Sequence, residues 1–339
     1  NEGYIKRVSM KSYTSSNGDE TTLKPGDYLK YLFEVSTLDN LVIFTNLGQY
    51  LYVPVHTIFE GKWKDLGKHI NNLVTGLSES EYIVGAFILK NPDEKITFVT
   101  KNGLVKQSIL KDFVVSRYSK AMLAFKLKDN DEVIAVNQSK PRTVLISEAG
   151  YYVNIDTEEI PVVGARASGV RGMNLKDDVL AAGLSLDSSE YLSIFTNNKT
   201  AKRVKVSELE THNRAKKGST LIKKVKSFDY KIIKALLTDG KDELFLKCDN
   251  EITKIKNTDI SILDLKSTGG TISRYKIDDV FTSTVVDSSL KNNKDANEEV
   301  KTLEENTDKV VEEIQEWEIE EKKEEKPKEE QVSLNDFFD

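Results

Sequence analysis

Apolar residues recur along the first 280 positions as short runs that fold back on themselves. Ile96–Lys106 reads I-T-F-V-T-K-N-G-L-V-K, an apolar run, a Lys-Asn-Gly break and a second apolar pair. That pattern predicts two antiparallel strands joined by a tight turn. The chain keeps repeating it. Val42–Leu51 gives V-I-F-T-N-L-G-Q-Y-L and Val144–Val153 gives V-L-I-S-E-A-G-Y-Y-V. Leu192–Lys202 gives L-S-I-F-T-N-N-K-T-A-K, and Leu244–Lys254 gives L-F-L-K-C-D-N-E-I-T-K. Asn1–Arg7, N-E-G-Y-I-K-R, is the second half of a further copy. The turn position falls at Gly3, Gly48, Gly103, Gly150, Lys199 and Glu251, at intervals of 45, 55, 47, 49 and 52 residues.

A second element recurs about halfway between hairpins: a leucine or isoleucine, acidic residues, then a β-branched run. Leu175-Lys176-Asp177-Asp178-Val179 and Ile277-Asp278-Asp279-Val280 are the clearest pair, and Leu127–Val133 is a longer version. Each repeat therefore holds about four short strands, enough for one propeller-like blade. Hairpin repeats of this period predict an all-β ring. Six turn positions predict six four-stranded blades, the last cut short near Val280.

Composition narrows the alternatives. No apolar run approaches the roughly 18 residues of a membrane span, and no signal peptide opens the chain. Cys248 is the single cysteine. Disulfides and cysteine-based zinc sites are thereby excluded, and a reducing cytoplasm is the expected compartment. Asn1 lies in mid-hairpin without a methionine, so the chain reads as a fragment. Residues 281–339 hold 8 Lys against 19 Asp and Glu, a net of −11, so the overall −6 leaves +5 on residues 1–280. The expected organisation is a mildly basic ring over 1–285 and an acidic, largely disordered tail over 286–339.

Between the post-turn strand and the acidic element, every repeat carries a loop in the same place, and five consecutive repeats put cations there. They hold Lys62, Lys64 and Lys68 in the second repeat and Arg117 and Lys120 in the third. Arg166 and Arg171 follow in the fourth, Arg214, Lys216, Lys217, Lys223 and Lys224 in the fifth, and Arg274 and Lys276 in the sixth. Equivalent loops of a ring share one rim. Recurrent cations beside glycines there suit a nucleic-acid backbone, because phosphates are neutralised by Lys and Arg and glycines admit main-chain amides. The competing class is a protein-interaction propeller, which would expose aromatic residues at these loops. Trp63 and Tyr118 are the residues that lean that way.

The recurring T-x-x-G-x-h-K-R hairpin, its period and the glycine–basic loops resemble the C-terminal domain of the A-subunits of bacterial type IIA topoisomerases. That family comprises DNA gyrase and topoisomerase IV. The resemblance spans about residues 1–285 and implies a six-bladed, sometimes five-bladed, β-pinwheel that binds and bends duplex DNA around its edge. Gyrase marks its first blade with a loop reading Q-R-R-G-G-K-G. Here the slot is Ser12–Asp19, S-Y-T-S-S-N-G-D, with no arginine. This departure points to the topoisomerase IV branch, with a gyrase wrapping arm as the rival.

No catalytic residue is expected within these 339 positions. The family nucleophile is a tyrosine after an arginine, but the neighbours of Arg117-Tyr118 do not match that context. His56, His69 and His212 are scattered, without partners at metal-ligand spacing. The resemblance implies that magnesium, ATP, the partner B-subunit and a second copy of the A-subunit engage other regions of such an enzyme. At the extreme C-terminus, Gln331, Leu334, Phe337 and Phe338 resemble the short peptides that dock on sliding clamps. The alternatives are that the two phenylalanines fold back on the ring or have no role.

Overall fold

The computed structural model describes residues 1–282 apart from 79, 129, 187, 188 and 250. Five hairpins form where the pattern puts them: Asn40–Thr45 with Gln49–Pro54, Lys95–Thr100 with Leu104–Ile109, Arg142–Ser147 with Tyr151–Asp156, Tyr191–Thr196 with Thr200–Lys205, and Glu243–Cys248 with Glu251–Lys256. The blades are named below by their turn positions.

Turn chemistry accounts for the recurring Thr-x-x-Gly. The amides of Gly48, Gly103, Gly150 and Lys199 donate to the carbonyls of Thr45, Thr100, Ser147 and Thr196. Their φ angles are +73°, +80°, +87° and +60°, the left-handed region that glycine enters without a Cβ penalty. The hydroxyls of Thr45, Thr100 and Ser147 accept from the first amide past each turn, at 3.2, 3.1 and 3.1 Å. Glu251 departs from the expected slot. It pairs with Cys248 across a tighter turn, and the positive φ, +53°, moves to Asp249.

The acidic element ties four of the six hairpin tips to the segment that follows. Asp131 accepts from the amide of Asn102 at 2.9 Å, and Asp178 from that of Ala149 at 3.2 Å. Asp278 accepts from Asp249, and Asp27 does the same for Glu2. After it run the inner strands, Ile83–Ile88, Val133–Gln138, Leu180–Leu186, Ile232–Thr238 and Asp279–Thr282, each paired with the first strand of its own hairpin.

The fourth strand of each complete blade comes from the next repeat. Met122–Leu123, Val170–Arg171, Ser219–Thr220 and Gly270–Thr271 pair with the post-turn strands of the Gly48, Gly103, Gly150 and Lys199 blades. Consecutive blades are therefore joined by exchanged strands.

Five blades form, not the six expected. Four have four strands and the Glu251 blade has three, since no described residue lends it an outer strand. The first repeat contributes only Tyr4–Ile5, paired with Lys68–His69. In the five blades the inner strand bonds to the hairpin's first strand, whereas the corresponding residues of the first repeat, 28–36, form no ladder among the described residues. The arginine-free slot Ser12–Asp19 begins inside a short helix, Met10–Thr14, capped by Ser9.

Most blade strands bury both faces, which is why they read as near-continuous apolar runs. The core lies between blades. Val144, Ile146 and Tyr152 pack with Leu192, Ile194 and Val204 of the next blade. Phe44 meets Phe98 and Phe113 edge-on across an earlier junction, at 5.1 and 4.9 Å between ring centres. Residues 26–30 join the last blade to the first. Tyr28 stacks on Phe281 at 3.7 Å and donates to Asp279, Lys247 reaches the Gly26 carbonyl, and Lys30 reaches that of Ile83. Burial, then the charge of Lys234, pushes Lys30 down to about 8. Among the described residues no helix is long and apolar enough to cross a membrane.

Candidate nucleic-acid interface

Each post-turn strand leads through a single 3-10 turn into a crossover that travels to the preceding blade. The crossovers are anchored on that blade by the residue four places past its turn. Arg7, Gln107 and Arg203 each bond through backbone N–H and C=O to a passing crossover, around Phe59–Gly61, Pro161–Val163 and Ser261–Leu263. Their side chains donate to the carbonyls of Ile58, Ile160 and Ile260, at 2.9, 2.7 and 2.7 Å.

One residue earlier stands a lysine that sequence reasoning left without a role. Lys106 is fully buried, over the rings of Phe98 and Phe125, and donates to the carbonyls of Ala124 (2.7 Å) and Gly164 (3.3 Å). Lys202 donates to Leu221 (2.6 Å), Asp264 (3.2 Å) and Leu265 (2.7 Å). Lys6 reaches the Thr21 hydroxyl and the carbonyls of Lys62, Trp63 and Asp65. Burial pushes Lys106 down to about 8 and Lys202 to about 7, with Asp112 and Asp264 opposing, and it lowers Lys6 as well. The signal was the recurring lysine itself.

The predicted cations sit on these crossovers and the outer strands that follow. Successive crossovers are hydrogen-bonded in series. Thr75 bonds to Ser119, Lys126 to Ala167, Asn174 to Lys216 and Lys223 to Lys266. The basic loops of the second to sixth repeats thus form one connected rim.

Their side chains are not equivalent. Arg117, Lys120, Arg166, Arg171, Lys216, Lys223, Lys224 and Arg274 are exposed and make no ion pair among the described residues. Arg166 holds a φ of +69°. Lys217 lies over the Tyr151 ring at 4.1 Å, and Lys68 over Phe59 at 4.7 Å. Lys64 is paired with Asp19 and Lys276 with Asp278. Lys62 is exposed, and its amide is bound by Asp65. Arg214 is half-buried: its amide donates to Glu159 and its guanidinium to the Arg171 carbonyl at 2.7 Å, which makes it a brace between two crossovers.

Unpaired charge therefore concentrates on the third to fifth repeats. There a cleft of about 640 Å³ opens beside the Gly150 turn, lined by Lys217, Lys223, Lys224 and Lys226 on one hand and by Glu148, Asp177, Asp178 and Asp229 on the other, so its charge is mixed. Of the two aromatic residues that favoured a protein partner, Trp63 is buried, its indole N–H donating to the Asp19 carbonyl, whereas Tyr118 is exposed. Gly164 and Gly270 have open space where a Cβ would stand, so neither packing nor a left-handed φ requires glycine there. Gln331, Leu334, Phe337 and Phe338 lie outside the described residues.

A family model described as the DNA gyrase C-terminal domain, a β-propeller, matches residues 39–90, 94–140, 143–185 and 190–239. Each segment spans one hairpin and its inner strand. The chain is 38% identical over 247 residues to the A-subunit of DNA topoisomerase 4 from Bacillus subtilis (strain 168), covering 71% of this chain and 30% of that protein. Identity to the protein of the same name from Staphylococcus aureus (strain MRSA252) is 34%, over 70% of this chain and 30% of the relative. The chain thus spans about 30% of the length of the curated relatives it matches. Among solved structures, a C-terminal domain of DNA topoisomerase IV superposes with a TM-score of 0.80 at 32% identity, covering 88% of this chain and 95% of the other. A DNA gyrase A C-terminal domain gives 0.60 at 20% identity, over 83% and 97%, a likeness of fold.

Proposed function

The chain belongs to the DNA gyrase C-terminal β-propeller family, and from that membership we propose that it is the DNA-bending arm of the topoisomerase IV A-subunit. It holds duplex DNA along the rim by phosphate contacts and with little sequence preference. The observation that carries this is the series of hydrogen-bonded crossovers whose exposed cations, from Arg117 to Lys224, lack carboxylate partners among the described residues. Smooth bending of a 20–30 base-pair segment costs on the order of 1–6 kcal/mol. Distributed phosphate contacts offset that cost without reading bases.

In the whole enzyme the arm would present the transported duplex for ATP-dependent decatenation and relaxation. Magnesium, ATP, the partner B-subunit and the second copy of the A-subunit would engage other regions, in the bacterial cytoplasm. The topoisomerase IV reading is favoured over a gyrase wrapping arm by the arginine-free Ser12–Asp19 slot and by the names of the relatives.

The test is duplex binding across a salt series. The expected plot of log affinity against log salt falls with a slope of about 0.9 per phosphate neutralised. Replacing Arg166, Arg171, Lys216, Lys217 and Lys224 with alanine should weaken binding and flatten that slope. Unchanged affinity and slope would remove the rim from the interface.

A further inference from the structure

The most recurrent cation of the hairpin, three residues past the turn, is withdrawn from the surface in three repeats and meets the same kind of partners each time. Lys106 joins Ala124, just past the outer strand of its own repeat's crossover, to Gly164 in the next crossover. Lys202 joins Leu221 to Asp264 and Leu265 in the same relation. Lys6 joins Thr21 to Lys62, Trp63 and Asp65. Each ammonium thus ties two successive rim segments together, chiefly through main-chain oxygens. The other repeats place Leu51, Val153 and, across the tighter turn, Thr253 at this position; the first two are buried apolar residues and the third is exposed. The ties therefore alternate around the ring.

Solubility or DNA contact would not call for this arrangement. Burying an ammonium is costly unless its hydrogen bonds are met, and an apolar residue fills the same place in two blades. What the lysine adds is a fixed distance between two loops that carry exposed cations: Lys120 and Arg166 about Lys106, Lys223, Lys224 and Lys266 about Lys202. We propose that Lys106 and Lys202 are positioning residues, which set the spacing of neighbouring phosphate-binding loops and touch no DNA themselves. This rests on the DNA-bending reading above and gives a part of the repeat, hitherto without a role, its place in it.

The experiment compares the full chain with its Lys106→Met and Lys202→Met variants, well below their melting temperatures, by duplex titration over a salt series and by amide hydrogen exchange. A positioning role predicts an affinity loss of about three- to tenfold with an unchanged salt slope, because the same phosphates are still neutralised. It also predicts faster exchange confined to the tied segments, around 124 and 164 in one variant and around 221 and 265 in the other. A slope lowered by about 0.9 for each lysine would make them DNA contacts and overturn the proposal. So would a lower melting temperature with unchanged affinity and slope, the signature of packing alone. If the unmodified chain shows no salt-dependent binding, the DNA reading fails instead. The exchange data then still decide whether the lysines tie the loops.

Discussion

Lys202 shows how little a residue's identity says about its role until its surroundings are known. Lys254, on the post-turn strand of the next repeat, is exposed and paired with Glu243, while Lys202 is enclosed by three carbonyls. Burial moves it from 10.5 to about 7. Above pH 7 the folded chain gives up this proton, whereas the unfolded chain keeps it up to the ordinary lysine value. Over that interval the unfolded state binds more protons, so this group makes stability rise with pH. At lower pH both states hold the proton and the burial cost is fully present. Between pH 7 and about 9, stability of the native chain should gain on that of Lys202→Met by on the order of 1–2 kcal/mol. Parallel denaturant titrations at the two pH values check this; a constant difference would show that Lys202 stays charged. The sequence made the lysine visible as a recurring letter. Its burial was hidden because the carbonyls that surround it come from segments 19 and 62–63 residues further along.

At the scale of elements, hairpins were legible and exchanged strands were not. Two apolar runs flanking a turn carry their own pairing information, so each hairpin tip could be placed from the sequence. A two-residue outer strand has no periodicity to read, and its partner lies in another repeat. Glycine is its nearest signature. Gly67, Gly169, Gly218 and Gly269 directly precede four of these strands, and an added Cβ would stand 2.8, 2.7, 1.9 and 2.7 Å from the carbonyls of Ile5, Val105, Tyr152 and Ala201. Gly218 also holds a φ of +81°. Gly218→Ala should therefore detach Ser219–Thr220 from Tyr151–Tyr152 and cost roughly 2 kcal/mol or more, combining left-handed strain with the clash. Gly164→Ala, where the Cβ meets nothing, should stay within about 0.5 kcal/mol of the native chain. Melting curves of the two variants make the comparison, and equal stabilities would mean the outer strand adds nothing to the blade. The blade count turns on the same kind of long-range pairing. The first repeat has the acidic cap and the post-turn strand, yet Tyr4–Ile5 pair only with Lys68–His69 and residues 28–36 form no ladder among the described residues, which no local pattern reports.

For the whole ring, closure is a separate question from blade formation. Neighbouring blades elsewhere share a core and exchange strands, but the Glu251 and Gly48 blades meet through residues 26–30. The contacts there are the stack of Tyr28 on Phe281 and the Tyr28–Asp279, Lys247–Gly26 and Lys30–Ile83 hydrogen bonds. Aromatic pairs contribute about 0.5–1.5 kcal/mol beyond burial, and net hydrogen bonds about as much each. That total is comparable with the 1–6 kcal/mol, roughly, by which a bent 20–30 base-pair duplex pushes back. On the DNA-bending reading proposed above, a loaded rim would strain the seam by a comparable amount. Tyr28→Ala should leave the five sheets intact, as read by far-ultraviolet circular dichroism, while relaxing the curvature the rim imposes. Energy transfer between dyes at the ends of a duplex of about 30 base pairs should then report a smaller bend, with the salt slope of binding unchanged because the phosphate contacts remain. An undiminished bend would show that curvature is set within the third to fifth repeats, where the unpaired cations are densest, and that the seam carries none of the load.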